Sequence, residues 1–359
     1  IAQLCAFAYV TRGDTKTALD LLSRVIDQSD ASGMLGRAVL ARGIRADALW
    51  RAGRWSESLA QLSQMESLQD ATNRRQLAAC ASAVRARIEA GLGREEACRH
   101  YTEQTLEASV PLASHLLTVW ALSGRGLLAL GAQRYAEAAA DFDRVVAIAG
   151  HMPEPGFLWW HADAVEAYHG CGRAEDARDA LARLDRLADA TGRAWAGAAA
   201  DRCAALLGVD DDPAGRLDAA LAGFRAVGAP FEEARTLLTR GEVLIAAGDR
   251  RQGAVDVAAA RTIFDRLGAR TWSERASRLR GEASRTSPSL ASRLSPAELR
   301  VALAVGDGAT NREAAKRLYL SVKTVDYHLQ GIYRKLGLRG RAQLATLVAA
   351  DRGGLPDAG

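Results

Sequence analysis

Residues 294–350 read LSPAELRVALAVGDGATNREAAKRLYLSVKTVDYHLQGIYRKLGLRGRAQLATLVAA, and the punctuation of this stretch decides the fold. Ser295 stands where a helix N-cap belongs, Pro296 suits the first helical position, and Glu298 completes a capping box. Leu299, Ala302 and Leu303 give that helix an apolar face. Thr310 and Glu313 repeat the capping pattern and open a short helix whose Ala314, Ala315 and Leu318 are small or apolar, so two helices can cross closely. Tyr319 and Leu320 form a tight connection to Ser321, the cap of a third helix over about Val322 to Leu336. Two helices joined by a three-residue turn make a helix-turn-helix unit.

A step of about 100° per residue sorts the third helix into two sides. Val325, Leu329, Ile332 and Leu336 share one side and are expected to face a core. Lys323, Tyr327, Gln330 and Arg334 share the other, with Asp326 at its edge. A solvated helix ordinarily carries Glu/Lys pairs. A row of cation, aromatic, amide and arginine instead suits the major groove of double-stranded DNA. Gln330 can pair bidentately with adenine, and Asp326 can accept from the amino group of cytosine. Thr324, Lys335 and the backbone amides of Asn311 and Arg312 suit phosphate contacts, and the caps Thr310 and Ser321 complete the candidate DNA-binding set. Charge agrees: residues 285–359 hold 12 Lys/Arg and 6 Asp/Glu, a net of +6, whereas the preceding 284 residues hold 35 and 37, a net of −2. Cations gathered at one end are the electrostatic footprint of a nucleic-acid module.

The run REAAKRLYLSVKTVDYHLQGIYRKLGLRGRAQLATL, residues 312–347, resembles the DNA-binding domain of LuxR-type regulators. The features that carry the likeness are Ser321-x-Lys323-Thr324-Val325-x-x-His328-Leu329, then Tyr333-Arg334-Lys335-Leu336-Gly337, then Arg341-Ala342-x-Leu344. The resemblance implies four helices, the third reading DNA and the fourth, Arg341 to Ala350, helping to form a dimer. Leu344, Leu347 and Val348 give that fourth helix an apolar stripe and are the candidate dimerisation residues. Two positions depart from the family pattern. Gly340 replaces a Ser or Thr cap, a loss of a few tenths of a kcal/mol, and Asp326 puts an acid where a longer or basic residue is common.

Upstream, Ser-rich residues 283–293 read as a linker, and the pattern before them is repetitive. Glycines at 13, 53, 93, 131, 172, 208 and 248 recur about every 40 residues, each ending an Ala/Leu-rich helical stretch. ALWRAGRWSESLAQL (48–62), ARIEAGLGREEACRHY (86–101), GLLALGAQRYAEAAADF (126–142) and AVEAYHGCGRAEDARDAL (164–181) are four copies with helical periodicity. One helix pair cannot bury its apolar stripe alone, but a stack can. The expected fold is therefore all-α: a tetratricopeptide-like α-solenoid over residues 1–282, the linker 283–293, a four-helix helix-turn-helix domain at 294–350 and a flexible tail at 351–359. Trp50, Trp55, Trp120, Tyr135, Trp159, Trp160, Trp195 and Trp272 are candidates to line the concave face; the plainer alternative packs them between helices. Pro153 and Pro155 mark a loop that interrupts the repeats. Residues 228–276 are in turn similar to the helical region of large ATP-binding LuxR-type regulators, which implies a nucleotide-binding module before Ile1.

Several classes are disfavoured. No Gly-x-x-x-x-Gly-Lys-Ser/Thr, Gly-x-Ser-x-Gly or His-Glu-x-x-His occurs, and the only lysines are Lys16, Lys316, Lys323 and Lys335. No catalytic residue and no cofactor is therefore expected in this chain. His151, His161 and His169 lack metal-ligand spacing. The five cysteines contain no C-x-x-C pair and read as buried thiols of a reducing compartment. No apolar run reaches the ~18 residues of a membrane span. An Arg-heavy, Lys-poor composition suits a GC-rich bacterial genome. The expectation is a cytoplasmic bacterial transcriptional regulator, dimeric or oligomeric on DNA, whose repeats sense a small-molecule inducer or protein partner. The rival is an interaction scaffold whose last domain only tethers or dimerises.

Overall fold

The computed structural model describes residues 2–72, 75–150, 159–209, 211–285, 290–338 and 340–352. The loop read at Pro153 and Pro155, with His151, lies outside the described residues, as does the tail from 353 onward. Among the described residues all regular structure is helical and no strand occurs. The chain divides into two compact units, Ile1–Arg280 and Gly281–Gly359.

The first unit is a succession of helical hairpins: α1 (Ala2–Arg12) with α2 (Thr15–Ala31), α3 (Leu35–Arg51) with α4 (Trp55–Thr72), and α5 (Arg75–Leu92) with α6 (Glu95–Ser109). Then follow α7 (His115–Gly131) with α8 (Tyr135–Ala149), α9 (His161–Gly170) with α10 (Ala174–Thr191), and α11 (Ala194–Leu207) with α12 (Pro213–Ala226). The last pair is α13 (Pro230–Ala246) with α14 (Arg250–Leu267), and α15 (Arg270–Arg285) ends the series inside the stretch read as linker. Among the described residues, each turn within a hairpin holds one left-handed residue, at positions 13, 53, 93, 133, 172, 208 and 248. Six are glycines, as the spacing predicts. At the fourth turn the residue is Gln133 (φ +58°), so the assignment of Gly131 to that role is corrected. Gly131 closes α7 in helical conformation instead, and its missing side chain admits Trp272, whose Nε1 lies 2.9 Å from where a Cβ would stand.

Trp55 and Tyr135, each the first residue of the helix after its turn, fill one repeated slot. Trp55 lies over Gly91 of α5, 3.0 Å from an ideal Cβ there, and Tyr135 over Gly170 of α9, where a methyl would overlap the ring. A glycine near the end of the next helix makes room for each aromatic.

The chain's last helices pack back onto its earlier hairpins. The α13 N-terminus brings Pro230 to 2.5 Å from an ideal Cβ on Gly53. Phe231 meets Trp55 and Trp272 edge-on, with centroids 5.3 and 5.5 Å apart. Trp50, Trp55, Trp159, Trp160, Trp195 and Trp272 are consequently buried in one continuous core, while Trp120 and Tyr135 are half-buried against it. The plainer alternative holds for most of the aromatics.

Across that core runs a buried ionic network. Arg235 of α13 reaches Asp163 and Glu166 of α9 at 2.6 Å each, and Glu232 at 3.2 Å. Arg202 pairs with Glu232 at 2.6 Å, and Arg275 with Glu166 at 2.7 Å. Burial pushes the Asp163 carboxyl up despite Arg235 and Arg87. Glu166 is buried as well, yet Arg235 and Arg275 more than offset that and hold it down at about 2.

His161 stacks on Trp160 with centroids 3.9 Å apart, and burial depresses its imidazole to about 3, helped by Arg183. An unfolded histidine takes its proton near 6.5. The folded ring refuses it until far lower, so the stability it preserves above 6.5 is lost as pH falls toward 3, at about 1.4 kcal/mol per pH unit. Urea denaturation should show the parent chain losing about 2 kcal/mol more than His161→Phe between pH 7 and pH 5. Equal losses would refute the assignment.

Candidate nucleic-acid interface

The second unit holds α16 (Leu290–Arg293), α17 (Pro296–Gly306), α18 (Asn311–Leu318), α19 (Val322–Leu336) and α20 (Arg341–Arg352). The three caps form as the sequence implies. Ser295 and Glu298 exchange backbone and side-chain hydrogen bonds at the start of α17, Thr310 and Glu313 do so at α18, and Ser321 Oγ accepts from the Thr324 amide at 3.0 Å. Ala314 and Ala315 are buried where α18 crosses α19, and Val301, Val305, Val325, Leu329 and Ile332 fill the space between. An N-cap bond of this kind contributes about 1 kcal/mol, a large share for so short a helix as α18.

Helix α19 presents the row read from the sequence. Val325, Leu329, Ile332 and Leu336 are buried, whereas Lys323, Asp326, Tyr327, Gln330 and Arg334 are exposed, Tyr327 at 75%. Thr310 and Arg312 are exposed at the start of α18. A hydrogen bond from Asn311 Nδ2 to Asp326 Oδ1 brings that helix start beside the row. Arg341 completes the tie, donating to Asn311 Oδ1 at 2.6 Å and to the Ala309 carbonyl at 2.8 Å. Asp326 thus has one oxygen engaged in a chain that joins α18, α19 and α20, which gives its acid a structural task. The sequence marks Arg341 only as part of a pattern and as a helix start, since nothing local shows that an arginine closes a contact thirty residues back.

Lys335 and the apolar residues of α20 are placed differently from the sequence reading. Lys335 puts its ammonium 2.7 Å from Glu298 Oε2, clamping the end of α19 onto the cap of α17. That contact, with the Ser295 amide, draws Glu298 down to about 2. Leu344 and Val348 do not form an outward stripe. They are 0% and 1% exposed, and Val348 lies 2.5 Å from an ideal Cβ on Gly306 of α17. Leu347 is half-buried against the same core. These three side chains hold α20 on its own domain, and burial takes Leu344 and Val348 out of reach of a second copy. Thr324 is half-buried and shares a 2.8 Å hydroxyl contact with Ser321.

Tyr319, read from the sequence only as part of the tight connection, has a conformation its residue type does not announce. It is 96% exposed and left-handed (φ +56°), a conformation that favours glycine. Tyr319→Gly should stabilise the second unit by about 1 kcal/mol in thermal unfolding, because a Cβ is unfavourable there. No gain in melting temperature would show that the phenol makes a compensating contact.

Residues 292–348 match the family model described as bacterial regulatory proteins, luxR family. Over 78 residues the chain is 45% identical to a protein of Mycobacterium bovis and to two from strains of Mycobacterium tuberculosis, all three named as HTH-type transcriptional regulators. The matched stretch is 22% of this chain and spans 9% of each of those relatives.

Proposed function

We propose that this chain is a sequence-specific regulator of transcription in a bacterial cytoplasm: α19 enters the major groove, and the helical hairpins sense a small molecule or partner protein. The observation that carries it is the exposed row Lys323, Tyr327, Gln330 and Arg334, held rigidly by four buried apolar residues on the reverse of the same helix. A helix fixed from behind and dressed in donors and an aromatic in front can address base edges. The N-terminus of α18, with exposed Arg312, lies beside it and is suited to a phosphate. The chain carries no chemistry of its own in this reading and uses no cofactor. It acts on DNA as a dimer or higher oligomer, through a surface other than Leu344 and Val348.

Selection from random double-stranded DNA, followed by footprinting, tests it. A preferred site should be bound about a thousandfold or more tighter than bulk DNA, with affinity falling steeply as salt rises. Two protected half-sites about one helical turn apart would identify a dimer. Binding without any preferred site would instead favour the scaffold reading.

A further inference from the structure

A cleft opens in the first unit. It lies among α3, α5, α7 and the approach to α9, with Asp47, Trp50, Arg51, Arg87, Trp120 and Trp159 on its walls. Its polar groups are out of balance. Trp50 Nε1, Trp159 Nε1 and Arg87 Nη1 are all buried donors without a hydrogen-bond partner, and their residues are 4%, 7% and 7% exposed. Unpaired buried donors are uncommon because each forfeits its hydration. Three on the walls of one cleft call for an acceptor.

Charge points the same way. Asp47 holds Arg51 at 2.9 Å, but Arg87 has only 3.4 Å contacts, to Asp163 and to the Trp159 carbonyl, and Asp163 is drawn closer to Arg235 at 2.6 Å. Both guanidiniums are pinned on aromatic faces, Arg87 over Trp50 and Arg51 over Trp159, each 4.7 Å from the ring centre. Burial depresses Arg51, and the nearby cations Arg87 and Arg193 depress it further, against the pull of Asp47. The inner space takes about one water-sized group, while half-buried Trp120 offers an apolar wall nearer the surface.

We infer that this cleft is a ligand site for a small carboxylic acid on a flat apolar body, one carboxylate oxygen entering the inner space to accept from Arg87, Trp50 and Trp159 and the body lying on Trp120. The inference rests on the reading of the hairpins as the sensing half and names the class of molecule they sense. Binding is measured without DNA, so its failure leaves the DNA-binding reading intact.

Calorimetry and tryptophan emission of the full chain would be followed against acetate, benzoate, phenylacetate and 3-phenylpropionate, with benzamide and phenylacetamide as uncharged counterparts. At least one aryl acid should bind and shift the emission, its amide should not, and acetate should bind more weakly. Arg87→Gln should weaken the aryl acid by about 10- to 100-fold. Trp120→Leu, on the more exposed wall, should weaken it by about tenfold and leave acetate unchanged. The inference is overturned if no aryl acid binds below about 10 mM, since the three donors then hold only water. Equal binding of acid and amide overturns it, as does acetate binding as well as the aryl acids. If Arg87→Gln fails to fold, Trp120→Leu decides: unchanged preference for aryl acids over acetate overturns the placement.

Discussion

Replacing Tyr327 and Gln330 together by alanine is expected to flatten the sequence preference of the chain while leaving its fold intact. Both side chains project from the exposed side of α19 and neither contributes to the core. Their loss should remove about 1–3 kcal/mol of discrimination for each base pair they read, which is 5- to 150-fold in relative affinity. Affinity for bulk DNA should hardly move, because that term comes from cations on phosphates. Arg312→Ala gives the opposite signature: weaker binding to all sequences alike and a salt slope shallower by about one. Competition binding with the selected site and scrambled DNA separates the two. A double alanine variant that weakens both DNAs equally would sink the assignment of the row to base reading. Lys335 makes a poor control, since removing it leaves Glu298 without its cation before any DNA is added.

The largest effect on stability belongs to Arg235. Arg235→Met should destabilise the first unit by about 3–5 kcal/mol at neutral pH, because three buried carboxylates lose their shared cation. Methionine keeps much of the side-chain volume on Trp272, so lost packing contributes little. The pH dependence has a definite sign. Asp163 is already pushed upward by burial, and without Arg235 it rises further. A carboxyl raised above its unfolded value resists ionisation in the fold. The penalty is therefore present at high pH and relieved as pH falls through the raised value. The gap between parent and variant should narrow from pH 8 to pH 5, and taking the gap cancels the acid sensitivity of His161. Urea denaturation at the two pH values measures it. A gap under about 1 kcal/mol at pH 8 would mean the network carries little of the fold.

What the sequence discloses here is whatever is encoded within a few residues. Ser295, Thr310 and Ser321 announce their helices because a cap and its partner are three positions apart. The two sides of α19 can be sorted because helical geometry is fixed. Gln133 hides its left-handed turn behind a residue type that does not require one, and Gly131, two positions earlier, draws the assignment to itself. Leu344 and Val348 are apolar at helical spacing, and that pattern says only that they are covered. Whether a partner or their own domain covers them depends on Gly306, some forty positions away, whose bare backbone receives Val348. Asp326 stands at the edge of the exposed row, and nothing local announces that Asn311, itself held by Arg341, bonds one of its oxygens. Contacts between Arg235 and Asp163, far apart in the chain, leave no local trace at all.

The seating of Pro230 on Gly53 and of Trp272 on Gly131 has a further consequence, for evolution and for engineering. An open array can gain or lose a unit at little cost, since each touches only its neighbours. Here the last helices dock on glycines laid down several units earlier. Deleting or duplicating one hairpin would shift every later docking partner by about 40 residues. The number of hairpins between Gly53 and Pro230 is therefore constrained, while their walls remain free to vary.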